Sequence, residues 1–346
     1  MPFFFIIFCF YFELKIWYNI SMKYKLLKDR ILIEDMTEFN PKHIFECGQI
    51  FRYKKLENED YIVFSADKFA TVKNCNGHYE IFSQDLQYFE NFFDLKRDYK
   101  AIKSKLSTQN QTLKLATEFG SGIRILNQNP TETIFSFIIS ANNNIKRIQS
   151  LVEKLSAKCG KNMGDYHAFP TLDEILTLSV DDLKAMGMGF RAKYIYDTAR
   201  ILKSCDFEKW TDLDTEHLLI ELQKLSGVGP KVADCVALFG FHKTDSFPVD
   251  TWVEKIYNCY FSKVPEKNRN KIHKNLLEMF GLDSGYAQQY LFYYKRELDR
   301  NIQNWNEKKN AFMCIFFVGY LHIYFSILQF FVFGGCYGKY KSKIDL

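Results

Sequence analysis

The sequence predicts an α+β fold: an antiparallel, β-rich N-terminal domain followed by two mainly helical lobes. Three observations predict it. Residues 61–83, YIVFSADKFATVKNCNGHYEIFS, alternate apolar and polar side chains and turn at Asn76-Gly77, the pattern of paired antiparallel strands. From about residue 130 the apolar period becomes helical. LSGVGPK (225–231) then interrupts the helical run with two glycines and a proline, the composition of a tight hairpin between two helices.

Taken in order, residues 22–125 form the β-rich domain, with short alternating runs separated by turns. Residues 126–300 form the helical domain. PTETIFSFIISANNNIKRIQSLVEKLSAKCG holds two helices, the first opened by Pro130 and Thr131. TLDEILTLSVDDLKAMGMGF and RAKYIYDTARILKSC follow, and then helices over 215–225, 230–240, 251–260, 266–280 and 284–300. Two helical lobes with a cleft between them fit that helix count.

The 346 residues suffice for two or three packed domains. Lys plus Arg number 46 against 41 Asp plus Glu, a net charge of +5 that permits a nucleic-acid partner without arguing for one. None of the nine cysteines forms a C-x-x-C pair, and no Cys/His group has zinc-ligand spacing, so they read as reduced, mostly buried thiols of a cytosolic protein. No metal or organic cofactor is implied. Phe (34) and Tyr (21) are abundant beside Lys, Asn and Ile, as AT-rich coding DNA would give. Short connections and this usage point to a bacterial cytoplasm.

The two ends stand apart. Residues 1–21 open with MPFFFIIFCFYF, which lacks the basic n-region of a secretory signal. Residues 301–346 contain an uncharged stretch at 311–335 long enough to span a bilayer. It reads as a membrane anchor, as an extension packed on the domain, or as translated AT-rich flanking sequence. The last is favoured. One span would not account for the rest of the chain, so membrane association is disfavoured, and a monomer is expected.

Glycines in the hairpin are expected to supply unusual backbone angles at Gly227 and Gly229 and to admit another backbone closely. Pro230 suits the first turn of the next helix, and the exposed amides there can hold a phosphate oxygen. Gly-x-Gly alone fits an ordinary helix–helix turn. The longer pattern L-x-G-V-G-x-K-x-A-D, with Pro248-Val249-Asp250 downstream, is far more specific. It resembles the helix-hairpin-helix DNA glycosylases, with the motif at 215–240. FECGQIFRY (45–53), FSFIISANNNIKRI (135–148), FPTLDEI, GMGFRAKYI (187–195), KVADCVALF and YAQQYLF (286–292), six matches in order, are similar to the eukaryotic-type 8-oxoguanine DNA glycosylase family.

The resemblance implies a DNA-binding cleft, a double-stranded DNA partner containing oxidised guanine, and a bifunctional glycosylase/lyase. Lys231 matches the catalytic lysine and Asp250 the essential acid. A helix N-terminus and a dry pocket are expected to lower the lysine pKa, freeing an amine to attack the sugar carbon and form a Schiff base, with β-elimination to follow. Asp250 would steady the oxocarbenium ion. Gly48 matches the glycine whose carbonyl accepts from N7–H of the lesion. Normal guanine has a lone pair there, and acceptor facing acceptor costs ~1–3 kcal/mol. Cys235 and Phe292 match the residues that sandwich the flipped base, and Gln288 the one that reads its Watson–Crick edge. Asn142 matches the residue filling the vacated stack, and Arg147 and Arg191 those holding the opposite cytosine. Phe190 stands where a tyrosine wedge is frequent.

Two positions depart from the pattern. Trp252 lies where a histidine is expected, and Lys295 where an aspartate is common. Both bear on phosphate contact, opposite-base preference and rate. No four-cysteine iron–sulfur loop follows, unlike the endonuclease III branch. Gly48 and Gln288 argue against a glycosylase for oxidised pyrimidines, and the Lys231/Asp250 pair argues against a non-catalytic DNA-binding module.

Overall fold

The structure, a computed structural model, describes residues 22–300. The expectations for 1–21 and 301–346, including the span at 311–335, lie outside the described residues. Among the described residues no helix is long and apolar enough to cross a membrane.

Six strands form one antiparallel sheet: β1 (Tyr24–Leu26), β2 (Ile31–Ile33), β3 (Tyr53–Lys55), β4 (Tyr61–Ser65), β5 (Lys68–Asn74) and β6 (Tyr79–Phe82), in the order β1-β2-β6-β5-β4-β3. The predicted hairpin pairs β5 with β6, Asn74 opposite Tyr79. Asn76 (φ 47°) and Gly77 (φ 117°) make its turn, both in the left-handed region that Asn and Gly tolerate. Alternation buries Ile31, Ile33, Tyr61, Val63, Val72 and Ile81 on one face. Phe39, Phe45, Phe89, Phe92 and Phe93 cover that face, and all are essentially buried.

The β-rich domain carries more helix than its sequence suggested. After α1 (Pro41–Phe45), the stretch 86–119 folds as α2 (Leu86–Phe92), α3 (Tyr99–Ser107) and α4 (Gln111–Phe119). Asp85, Asp98 and Asn110 each cap one of them by accepting from a first-turn amide. Helices this short leave only two or three apolar positions on a face, too few to show a period.

The helical region follows the sequence closely: α5 (Pro130–Ser140), α6 (Ile145–Cys159), α7 (Leu172–Leu176), α8 (Val180–Ala185), α9 (Arg191–Ser204), α10 (Thr215–Leu222), α11 (Pro230–Gly240), α12 (Thr251–Tyr260) and α13 (Arg269–Phe280), then helical backbone from 284. Capping boxes start α7 (Thr171 with Glu174) and α8 (Ser179 with Asp182). Helix α11 is buried from Val232 to Gly240 and packs on α5, where Phe137 and Phe239 stack at 5.6 Å. Gly240 permits that approach, since an added Cβ would lie 3.2 Å from Thr133. A second unit begins at Lys295, and residues 295–300 of it are described. That stretch is helical and holds ion pairs Lys295–Asp299 and Arg300–Glu297, both 2.8 Å.

Cysteine burial corrects the sequence reading. Of the six described, Cys47 and Cys235 are buried, Cys75 and Cys159 are intermediate, and Cys205 and Cys259 are exposed. A thiol is small and only weakly polar, so the surface tolerates it where no oxidant or partner cysteine selects against it.

Candidate active site

The 225–231 hairpin joins α10 to α11 and gives its two glycines different work. Gly227 has φ +80°, and a Cβ there would meet the Tyr194 ring at 2.6 Å. Gly229 has φ −88° and ψ −179°, an extended conformation open to any residue, and an added Cβ meets nothing within 4 Å. Only Gly227 supplies the unusual angle that was expected of both. Gly229 is exposed and sits at the N-cap of α11, just ahead of Pro230, which has no N–H to leave unpaired in the first turn.

Lys231 is the second residue of α11. The residue keeps partial solvent contact, but its ammonium is enclosed, 5.4 Å from the Phe137 ring centre. One turn on, the Cys235 thiol shares a hydrogen bond with it. The expected fall in the Lys231 pKa is not what the site produces. Burial, the largest influence, pushes the amine down, but Cys235 and then Asp250 together outweigh it, and the net direction is up. Cys235 is itself pushed up to about 11 by burial, so at neutral pH it is a thiol. The helix N-terminus and dryness were legible in sequence; the acid and thiol converging on the same amine were not.

Asp250 ends the Pro248-Val249 segment and caps α12, its Oδ1 accepting from Trp252 N–H at 2.8 Å and Val253 N–H at 2.9 Å. A carboxylate here is favoured by the helix dipole. The same group is close enough to Lys231 to act on its ammonium.

Gly48 lies in a pinned loop. It has φ +94°. On either side of it, the Cys47 carbonyl accepts from Gln289 Nε2 at 3.2 Å and the Gln49 carbonyl from Gln128 Nε2 at 2.7 Å. The Gln49 side chain, fully buried, donates to the Ile44 and Arg124 carbonyls, both at 2.8 Å, and accepts from Leu126 N–H at 2.9 Å. Gln288 is 6 % exposed, and its Oε1 is buried without a hydrogen-bond partner among the described residues. It borders a small apolar space lined by Phe247, Val253, Tyr257 and Leu276. An unpaired buried amide oxygen is costly and asks for a ligand. Phe292 lies one helical turn further on the same helix, half-buried.

A second group of expected residues lies at the surface. Asn142 is exposed with φ +52°, Arg147 is exposed with Nη2 3.3 Å from the Gly187 carbonyl, and Phe190 is 56 % exposed. Arg191 differs: it is 4 % exposed, and its guanidinium donates to the carbonyls of Ala141 (2.9 Å) and Asn142 (3.0 Å) while lying 4.3 Å from the Phe190 ring. It therefore ties the Asn142 and Phe190 turns together. Gln49, Gln289 and Phe137 were not singled out by sequence reasoning; all three lie inside quoted motifs, but nothing in a glutamine's identity says that it will face a backbone carbonyl.

One group of three metal-capable side chains, Cys75, His78 and Glu80, sits on the β5–β6 hairpin rather than beside Lys231. Glu80 is engaged by Arg30 at 3.0 Å and burial pushes the Cys75 thiol up, so the group reads as a hydrogen-bonded turn.

A β-domain followed by helices, with a hairpin lysine and a capping aspartate, is the layout of the helix-hairpin-helix base-excision enzymes, and the comparisons agree. Residues 135–281 match the HhH-GPD superfamily base excision DNA repair proteins, and residues 31–134 match the 8-oxoguanine DNA glycosylase N-terminal domain. An N-glycosylase/DNA lyase of Arabidopsis thaliana is 34% identical over 283 residues, covering 74% of this chain and 77% of that protein. One from Saccharomyces cerevisiae is 33% identical over 289 residues, covering 72% and 75%. The Clostridium acetobutylicum 8-oxoguanine glycosylase/lyase, solved with double-stranded DNA containing cytosine opposite 8-oxoguanine, is 38% identical with a TM-score of 0.76, covering 81% of this chain and all of that one. The chain belongs to the 8-oxoguanine DNA glycosylase family, enzymes that join N-glycosylase to DNA lyase activity.

Proposed function

We propose that the protein excises 8-oxoguanine from duplex DNA, preferentially opposite cytosine, through a Schiff base on Lys231, and then cleaves the strand by β-elimination. The observation that carries this reading is the enclosed Lys231 ammonium at the start of α11, with Cys235 and Asp250 acting on it. The amine, once deprotonated, attacks the sugar carbon bearing the base. The glycosidic bond breaks, the base leaves with the electron pair, and loss of the ring oxygen bond gives the imine. Removal of a neighbouring sugar proton then expels the 3′ phosphate. Asp250 supplies negative charge to the developing cation.

The base has to leave the stack to reach Lys231, at a cost of a few kcal/mol. The Gly48 carbonyl, held between two engaged neighbours, is the acceptor for N7–H. Gln288 reads the Watson–Crick edge with its amide, whose Oε1 has no partner among the described residues, and Cys235 and Phe292 lie on the two base faces. Asn142 and Phe190 fill and wedge the opened stack, Arg147 and Arg191 address the opposite cytosine, and the Gly227–Gly229 hairpin meets a phosphate. The solved Clostridium complex, with its cytosine opposite the lesion, supports the choice of opposite base. The reading carries with it a monomer working on chromosomal DNA in a bacterial cytoplasm.

The test is borohydride trapping on duplexes with 8-oxoguanine opposite each of the four bases. A covalent adduct, greatest opposite cytosine and lost in Lys231→Gln, is expected. An adduct surviving in Lys231→Gln removes Lys231 as nucleophile, and an adduct on a pyrimidine lesion but not on 8-oxoguanine moves the specificity elsewhere.

A further inference from the structure

Asp234 lies between the two residues of α11 that the proposed chemistry uses, three positions after Lys231 and one before Cys235, yet that chemistry gives it no part. It is 3 % exposed, too buried to be a solvated carboxylate. Its two partners come from different segments. The His273 ring, on α13, places Nε2 3.2 Å from its carboxylate. The backbone N–H of Phe247 donates to it as well. Phe247 lies in the short segment that ends at Asp250, three residues away.

Helix α13 grips the same segment a second time. Phe280, two turns beyond His273 and on the same helix face, stacks on the Phe247 ring at 5.9 Å and 20°. Phe247 and Phe280 are 1 % and 4 % exposed, so neither ring can shift without opening a cavity. The helix that carries Lys231 and the segment that carries Asp250 are thus joined through one carboxylate, and α13 backs the joint with an imidazole and a ring.

The geometry points to Asp234 as a positioning residue that fixes the register between Lys231 and Asp250. This inference rests on the proposed use of those two residues. Its consequence is specific to one step. Base release needs the amine and the carboxylate held together in register at one sugar carbon, so a slip of an ångström between them is costly. Capture of an abasic site that already exists needs only the amine and an aldehyde, with no cationic sugar for Asp250 to steady. Loss of the strut therefore slows release of 8-oxoguanine far more than trapping at a ready-made abasic site. A simple loss of folded protein lowers both alike.

The experiment measures both rates under single-turnover conditions, one duplex carrying 8-oxoguanine opposite cytosine and the other a pre-formed abasic site. Affinity for a duplex with a non-cleavable abasic analogue is followed alongside. In Asp234→Leu the ratio of base release to abasic trapping falls about tenfold or more, with affinity held within about twofold. Asp234→Asn keeps an oxygen for the Phe247 amide and restores the ratio to within about threefold. His273→Leu cuts one arm at a half-buried position and lowers the ratio by an intermediate factor, which keeps the test decisive should Asp234→Leu not fold. An unchanged ratio in all three, or equal loss of both rates, overturns the strut. Failure of the wild-type protein to act on either duplex would instead overturn the glycosylase reading itself.

Discussion

The inner site and the outer edge of this enzyme are built on opposite plans. In the interior, polar groups are held by fixed partners: Asp250 by the α12 amides, Asp234 by His273, the Gly48 loop by Gln128 and Gln289. At the edge, Phe190 is 56 % exposed and Asn142 holds a left-handed backbone on an exposed turn. Exposing a phenyl ring is unfavourable by itself, and it becomes useful only when something apolar, such as a base pair with its neighbour removed, covers it. On the proposed function, the interior is set for chemistry before DNA arrives, whereas the edge is finished by DNA.

The contrast breaks most sharply at Asp250. Asparagine caps a helix as well as aspartate, so Asp250→Asn removes charge and keeps α12 in place. Base release is expected to slow by about 100-fold or more, with the melting temperature and the affinity for an abasic-analogue duplex unchanged. Cutting at the wild-type rate would remove Asp250 from the chemistry. At the edge the opposite split is expected. Phe190→Ala removes little packing and leaves stability alone, but weakens binding to lesion duplex by about tenfold, the scale of one lost base–aromatic contact. A titration of labelled duplex measures it, and an unchanged affinity would make Phe190 an idle surface ring.

The hairpin sharpens the comparison within three residues. Gly227→Ala puts a methyl group into the Tyr194 ring at φ +80° and is expected to lower stability by about 1–3 kcal/mol. Gly229→Ala meets open space, costs less than about 1 kcal/mol, and shows its effect in DNA binding. Denaturant melts beside binding isotherms separate the two, and equal stability losses would contradict this division of labour.

These contrasts also explain what the sequence could tell. Helices α5, α6, α9, α11 and α12 are long enough to show their period or their caps, and the Asn76-Gly77 turn announces its hairpin, so their boundaries are close to those expected. The three short helices in 86–119 are not long enough, and were absorbed into the β-rich domain. Lys231 and Asp250 stand out because a lysine at a helix start and an acid after Pro-Val form a local pattern. Gln289 and Asp234 do not: their partners, Cys47 and His273, lie 242 and 39 residues away, and a hydrogen bond across that separation has no signature in the chain. The Lys231 pKa failed partly for the same reason: Cys235 is its neighbour one helical turn on, but Asp250 is brought beside the amine only by the fold.

The smallest effect follows from that correction. With its amine held above the usual lysine value, Lys231 is an ammonium at neutral pH, and the attacking form is scarce. Single-turnover adduct formation is therefore expected to rise with pH across the neutral and mildly alkaline range, without levelling off below the raised value. Cys235 holds the proton on the amine as well, by its hydrogen bond and, in the alkaline range where its thiolate forms, by charge. In Cys235→Ala the hydrogen bond to the ammonium is lost, and with it the thiolate charge that develops in the alkaline range, while burial and Asp250 remain; the rise therefore shifts to lower pH, and weaker lesion binding is removed from the measurement by saturating enzyme. A rate already flat at neutral pH would mean that DNA binding strips the proton before chemistry, and that the free protein's electrostatics do not govern the step.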